Sequence, residues 1–184
     1  MNQNKQFEDQ ICSAREILGS ANRIVVLSGA GVSTDSGISD FRVPYGVWTK
    51  NPEAEKASNI HHYVKSPEIR KRNWKLRASG DLWPNVSPNK GHEALAGLGS
   101  RLHLLITQNV DGLHQRAVTP TEKIVEIHGN TRNVACLSCD DHAPMKETIE
   151  RGSAGKDDPN SQKCSVIRKS EKIAFVQALK TEDM

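Results

Sequence analysis

The side chains able to do chemistry fall into three polar clusters and one set of thiols. The first cluster is Gly29-Ala30-Gly31, which follows the apolar run Arg23–Leu27. Small residues there let the backbone come close to a phosphate. The usual glycine fingerprint of dinucleotide sites places a third glycine three residues after the second; that position is Thr34. A plain tight turn accounts for the two glycines equally well. The second cluster is Thr107-Gln-Asn-Val-Asp-Gly-Leu-His114. Asn109 and Asp111 alternate along it, so both side chains can face one crevice if the segment is extended. The Asp111 carboxylate is a ready acceptor for an amide NH2. The third is Glu126-Ile-His-Gly129. The unperturbed pKa of histidine suits His128 to general-base work near neutral pH, and a structural histidine at a strand end is the plainer alternative.

The thiols begin with Cys136-Leu-Ser-Cys139, a CxxC pair. A paired zinc knuckle needs a second CxxC further on, and the chain offers Ser161-Gln-Lys-Cys164. A serine hydroxyl stays protonated near neutral pH and binds zinc poorly beside thiolates. Cys136, Cys139 and Cys164, helped by His142 or water, make a weakened zinc site; reduced, metal-free thiols are the alternative. Cys12 reads as a small core residue of an N-terminal helix.

These clusters need elements to position them. Phe7, Ile11, Ala14, Ile17 and Leu18 recur at helical spacing and predict an amphipathic helix over Glu8–Leu18. Three short apolar runs, Arg23–Leu27, Leu102–Ile106 and Lys123–Ile127, predict buried strands. Asn89–Leu98 predicts a helix, with Asn89 as N-cap and Gly99 as the stop. Short strands alternating with helices point to a parallel α/β sheet. Ligands of such sheets bind beyond the carboxyl ends of the strands. All three polar clusters follow strand ends, so they are expected to converge.

From Thr49 to Val86 the chain is polar and reads as a solvated helical insert. Its stretch Lys65–Arg77 holds six basic residues against the single acidic Glu68, which also fits a face for an acidic partner. With 184 residues, 25 basic and 22 acidic side chains and a net charge of +3, the chain suits one domain with a small insert. The charge is too small to argue for nucleic acid. A zinc-ribbon nucleic-acid binder using Lys65–Arg77 lacks an aromatic stacking platform and a second CxxC. No apolar run approaches the ~20 residues of a membrane span. The polar N-terminus shows no secretory signal, so a reducing cytoplasm is the expected compartment.

Beyond Gly31 the first cluster continues as Val32-Ser-Thr-Asp-Ser-Gly-Ile-Ser-Asp-Phe-Arg42, then Pro44 and Gly46-Val-Trp-Thr49. With Thr107–His114 and Glu126–Gly129, this run resembles the sirtuins, the NAD-dependent protein deacylases. The three motifs stand in that family's order, and the likeness covers roughly residues 7–180. It implies transfer of an acyl group from lysine to ADP-ribose, releasing nicotinamide and O-acyl-ADP-ribose. It implies that His128 is the base that deprotonates a ribose hydroxyl. It assigns Asn109 to the ribose and its water, Asp111 to the nicotinamide carboxamide and Gln108 to the ribose. Gly29, Ala30, Gly31, Ile38, Asp40, Phe41 and Arg42 match cofactor-binding positions, with Phe41 shielding the reacting carbon and Arg42 near the phosphates. The partner implied is an acylated-lysine protein or peptide, with no nucleic acid and no membrane; the oligomeric state is left open. Zinc is implied by four cysteines, of which Ser161 replaces one.

The expected fold is α/β: an incomplete Rossmann-like parallel sheet over 1–132 with its helical insert at about 50–86, a small zinc-binding module over 133–172, and the start of a further core part over 173–184. In the family that further part carries a Gly-Thr/Ser-Ser motif and an asparagine loop for the adenosine half of NAD. The sequence ends at Met184, so a C-terminally truncated member, with weakened NAD binding and an uncovered sheet, is expected. Other departures share one character. The family has proline at Ser39 and glycine at Val43, at Val118, across Ser165-Val166 and at Val176 within Phe175-Val-Gln177. Valine tolerates positive φ poorly. The motifs favour a deacylase by descent, and the departures favour an inactive remnant or binding fragment. The paired Tyr/Arg reader of acidic acyl groups is absent, because Ser66 stands three residues after Tyr63.

Overall fold

The computed structural model describes residues 3–40, 46–79, 83, 85–139, 141–153, 158 and 173–175. Helix α1 (Gln3–Ser20) extends the predicted helix at both ends. Its apolar face is open among the described residues, with Phe7 63% and Ile17 69% exposed. Cys12 is therefore exposed and is not the core residue expected. Arg101 ties the helix down by donating to the Leu18 carbonyl at 2.7 Å.

Strand β1 (Ile24–Ser28), β2 (Leu102–Thr107) and β3 (Ile124–Glu126) form a parallel sheet in the order β1-β2-β3. The predicted strands stand, with the third shorter than expected. Register places Ser28 beside Thr107 and Thr107 beside Glu126. The three strands thus end in one row, and the polar clusters leave the sheet together. The expectation that β1 is buried fails for one face. Ile24 and Ser28 are buried, while Val25 and Leu27 are 57% and 66% exposed. Successive side chains point to opposite faces, and one face of β1 has no cover among the described residues.

After β1 the chain winds through a 3-10 turn, Ala30–Ser36, which the sequence read only as a glycine-rich turn. The insert folds as α2 (Val47–Lys50), α3 (Pro52–Ser58), α4 (Ile60–Lys65) and α5 (Pro67–Ala78). It is less solvated than its charge implied. Of the basic run, Arg70 is 3% exposed, and Trp74 beside it on the helix is 5% exposed. Burial pushes the Arg77 guanidinium down to about 10. Helix α6 (Lys90–Ala96) begins as expected at Asn89, whose Oδ1 accepts the Gly91 and His92 N–H groups at 2.8 and 3.4 Å.

The second sheet is antiparallel. Strand β4 (Asn133–Cys136) lies between β5 (His142–Pro144) and β6 (Ile173–Phe175), and helix α8 (Met145–Ser153) follows β5. Residues 173–175 thus pair with β4, so this sheet runs past residue 172. Trp74 of α5 packs with Val134 of β4 and Met145 of α8. Beside it the Arg70 guanidinium holds Asp158 with Nε–H and Nη2–H bonds of 2.9–3.1 Å, and its Nη1 donates to the carbonyls of Tyr63 and Val64.

Helix α7 (Leu113–Arg116) ends at Ala117, and Val118 follows with φ 65. The Val118 and Thr119 N–H groups return to Gln115 and His114 carbonyls, the left-handed exit that glycine usually fills. The side chain is 85% exposed and gains little packing in return. The left-handed conformation costs a residue with a Cβ about 1–2 kcal/mol, while glycine loses about 0.5–1 kcal/mol in chain entropy. Val118→Gly is therefore expected to stabilise the protein by up to about 1 kcal/mol, or roughly 3 °C in Tm. Thermal unfolding with the melt followed by circular dichroism checks this, and an unchanged or lowered Tm would refute the strain.

Candidate active site

One hydroxyl organises the polar cluster beyond the strand ends. Ser33, in the 3-10 turn, is 1% exposed. Its Oγ donates to Asp111 Oδ2 at 2.8 Å and accepts from Asn109 Nδ2 at 3.1 Å. His92 Nε2 stands 3.4 Å away on a third side. The His92 tautomer follows from its other nitrogen: Nδ1 faces the Asn89 N–H at 3.3 Å and must accept, so Nε2 carries the proton and points it at Ser33.

Asn109 is buried and held at both ends. Its Nδ2 also donates to the Gly29 carbonyl at 3.0 Å, and its backbone N–H donates to Thr107 Oγ1 at 3.0 Å. Asp111 uses both oxygens: Oδ1 accepts the Leu113 N–H at 2.9 Å and so anchors the first turn of α7. Asn109 and Asp111 thus meet at Ser33.

His128 is exposed and reaches the segment that carries Asn109 and Asp111. Its Nδ1 is 3.0 Å from the Gln108 carbonyl. A carbonyl only accepts, so Nδ1 carries a proton, and in the neutral ring Nε2 is the nitrogen with the lone pair. A general base needs that tautomer. Its frame is the turn after β3. Glu126 accepts from Arg132 Nη2 at 2.7 and 2.8 Å, from Asn130 Nδ2 at 3.0 Å and from Gln115 Nε2 at 2.9 Å. Gly112 has φ 73, and a Cβ there would lie 2.6 Å from Arg132 Nη1. Its conformation calls for glycine, and a side chain there would also push the end of Arg132 aside.

The other expected positions are less closely joined. Among the described residues a Cβ on Gly31 would meet nothing within 4 Å, and one on Gly29 would meet only Gln108 Nε2 at 3.9 Å. No described side chain therefore fills the space over these two glycines. Ala30 and Asp40 are half-buried, and Ile38 is 9% exposed, its N–H on the Ser33 carbonyl. Phe41 and Arg42 lie outside the described residues, as do Val43, Ser161, Cys164, Ser165 and Val166. Cys136 is buried at the end of β4 and Cys139 is exposed in the turn after it. Among the described residues no group of three or more His, Cys, Asp or Glu side chains could hold a metal ion. Tyr63 is buried in the insert, where burial and Asp158 push its hydroxyl pKa up; Ser66 accepts the Ile69 N–H and caps α5.

Sequence reasoning did not assign Ser33, His92, Ser28, Thr107 or His114. The signal for His92 was its place three residues after the N-cap Asn89, where a side chain reaches back to the cap. Ser33 stood inside the quoted glycine run, but nothing in the linear order shows that it meets Asp111.

The described geometry has close counterparts. Residues 29–184 match the model of the Sir2 family. The NAD-dependent protein deacetylase 2 of Streptomyces coelicolor is 42% identical over 158 residues, covering 85% of this chain and 65% of that protein. The NAD-dependent protein deacetylase 1 of Bradyrhizobium diazoefficiens is 34% identical over 172 residues, covering 92% of this chain and 66% of its own. A solved Sir2 enzyme structure superposes with a TM-score of 0.71 at 32% identity, covering 92% of this chain and 65% of that one. A Sir2 complex with a p53 peptide and NAD+ gives 0.66 at 30% identity, covering 89% and 61%. The chain thus spans just under two thirds of the length of these relatives.

His92 and His114 touch, with ring centroids 4.9 Å apart. Burial lowers both pKa values from the ordinary 6.5, helped at His114 by its neighbour and opposed at both by Asp111. Unfolding therefore lets both rings take up protons at a pH where the folded chain leaves them neutral. Their contribution is fully present above about pH 6.5 and is lost as pH falls from there to the folded values, by at most about 1.4 kcal/mol per pH unit for each ring. Urea midpoints are expected to hold level from pH 8 to 7 and to fall between 6.5 and 5.5. A midpoint that rises over that lower interval would contradict the assignment.

Proposed function

The chain belongs to the Sir2 family, and from that membership we propose that it is an NAD-dependent protein-lysine deacylase. The observation that carries this reading is the His128 contact: Nδ1 is spent on the carbonyl of Gln108, the neighbour of Asn109 in the chain, which leaves Nε2 as the nitrogen for a ribose hydroxyl. The donor set fits the nicotinamide–ribose half of NAD. No described side chain fills the space over Gly29 and Gly31. Asp111 still has lone pairs beyond the two it uses, and these suit a carboxamide NH2. When bound, NAD supplies a glycosidic bond whose cleavage develops positive charge on the ribose.

Each of the chain's own groups then has a task. Asp111 accepts from the carboxamide and orients the nicotinamide. Asn109 and Gln108 hold the ribose. His128 Nε2 takes the proton of a ribose hydroxyl. Gly29, Ala30, Gly31, Ile38 and Asp40 shape the loop around the cofactor, with Phe41 keeping water from the reacting carbon and Arg42 near the phosphates. The substrate partner is an acylated lysine in a protein or peptide. The inactive-remnant alternative is not favoured, since Ser33, Asn109 and Asp111 keep their mutual bonds. Among the described residues no helix is long and apolar enough to cross a membrane, and a cytoplasmic setting agrees with cysteines too sparse for a disulfide scaffold.

Incubation of the purified protein with NAD and an acetyl-lysine peptide is expected to release nicotinamide. His128→Ala should cut that release about 10²–10⁴-fold, the usual worth of a general base. Equal release by the variant, or none by the wild type, would sink the reading.

Zinc is a separate matter. Around β4 the described residues supply two thiols, Cys136 and Cys139, which do not by themselves complete a site. We infer that Cys164 joins them, with His142 of β5 or water as fourth ligand and Ser161 a poor substitute for cysteine. Metal analysis after dialysis against a mild chelator should find wild type losing zinc before Ser161→Cys does. Equal retention would show that the site is not weakened.

A further inference from the structure

The proposed chemistry gives the His114 ring no task, although it is 1% exposed and touches His92 beside the candidate site. Its Nε2 is 2.9 Å from Ser28 Oγ. The Ser28 hydroxyl donates to Thr107 Oγ1 at 2.9 Å, so towards the ring it can only accept, and Nε2 carries the proton. Thr107 Oγ1 in turn accepts the Asn109 N–H at 3.0 Å. A continuous chain of hydrogen bonds therefore runs from the His114 ring, through the last residues of β1 and β2, to the backbone of Asn109.

We propose that His114 is a positioning residue for Asn109, acting through Ser28 and Thr107 to hold that side chain where the ribose is bound. This rests on the deacylase reading for the task of Asn109, though not for the chain of bonds. Two further contacts support it. Ser28 precedes Gly29, whose carbonyl is one of the two anchors of Asn109 Nδ2. The other anchor is Ser33, which is backed by His92, and His92 stacks on His114 at 4.9 Å with the rings tilted by 58°. Each side of the Asn109 cage thus rests on one histidine, and the two histidines rest on each other.

The second nitrogen explains why the arrangement holds one tautomer. His114 Nδ1 is buried with no hydrogen-bond partner among the described residues. A proton there would be an unpartnered donor, and the charge would sit against His92 with Asp111 as the opposing group. Only the neutral ring that donates from Nε2 satisfies Ser28.

The test compares His114→Phe, His114→Gln, Ser28→Ala and the Ser28→Ala/His114→Phe pair in the full chain. Phenylalanine keeps the ring volume and its contact with His92 but removes the donor; glutamine restores a donor. His114→Phe is expected to lower kcat for nicotinamide release about three- to tenfold, the worth of one hydrogen bond, with KM for the peptide unchanged. His114→Gln should recover part of that loss. Because both residues act through one chain, the double variant should be no worse than the poorer single variant. A second readout needs no turnover: the Asn109 side-chain amide signals in 1H–15N spectra should shift in His114→Phe and in Ser28→Ala. If wild type releases no nicotinamide, the deacylase reading fails while these spectra still judge the positioning role. Unmoved Asn109 signals, or additive losses in the double variant, would overturn the proposal. Should His114→Phe not fold, Ser28→Ala and His114→Gln carry the same comparison.

Discussion

The site depends on the small valence of one hydroxyl. Ser33 has one hydrogen to give and two lone pairs to receive with, and three partners take them: Asp111, Asn109 and His92. Those partners come from two stretches of the chain, Asn109 and Asp111 from the segment after β2 and His92 from a helix cap. With the hydroxyl this fully used, none of the three can turn without leaving a polar atom unmatched in a buried place. The turn after β1, the cap of α6 and the segment after β2 are thereby fixed against one another. The parallel register makes the meeting possible, because Ser28, Thr107 and Glu126 end their strands side by side.

Much of this was readable from residue types and spacing. The three strands, the Asn89 cap and the convergence of the polar clusters followed from apolar runs and from where they stop. Val118 was singled out by the resemblance, since the family has glycine there, and its φ of 65 gives the reason. What escaped was contact between distant residues. Ser33 and Asp111, or His114 and Ser28, have no local pattern that joins them; only the register of the sheet does. Cys12 and the outer face of β1 were misjudged for a related reason. An apolar stripe states that a residue is suited to burial, while burial itself depends on a second surface arriving.

The insert answers to a different set of forces. Its basic run looked like a solvated face, yet Arg70 turns inward and spends its donors on Asp158 and two carbonyls. A guanidinium suits this better than an ammonium, since its fork is planar and matches a carboxylate edge. Such a pair contributes less to stability than its geometry invites one to think, because two charges must leave water. Its stronger effect is on specificity of packing. With Trp74 alongside, it sets one arrangement of α5 against β4 and α8, and a shifted register would strand a buried charge.

The open face of β1 has a consequence for the protein as a substance. β1 is at the rim of its sheet among the described residues, and Val25 and Leu27 stand on the same side of it in water. A rim strand offers unpaired backbone groups, and an alternating apolar face offers a dry surface for a second copy. Wherever that rim and face stay uncovered, folded molecules can meet through them without first unfolding. Colloidal and thermal robustness are separate properties here: tightening the Ser33 network protects the second and does nothing for the first.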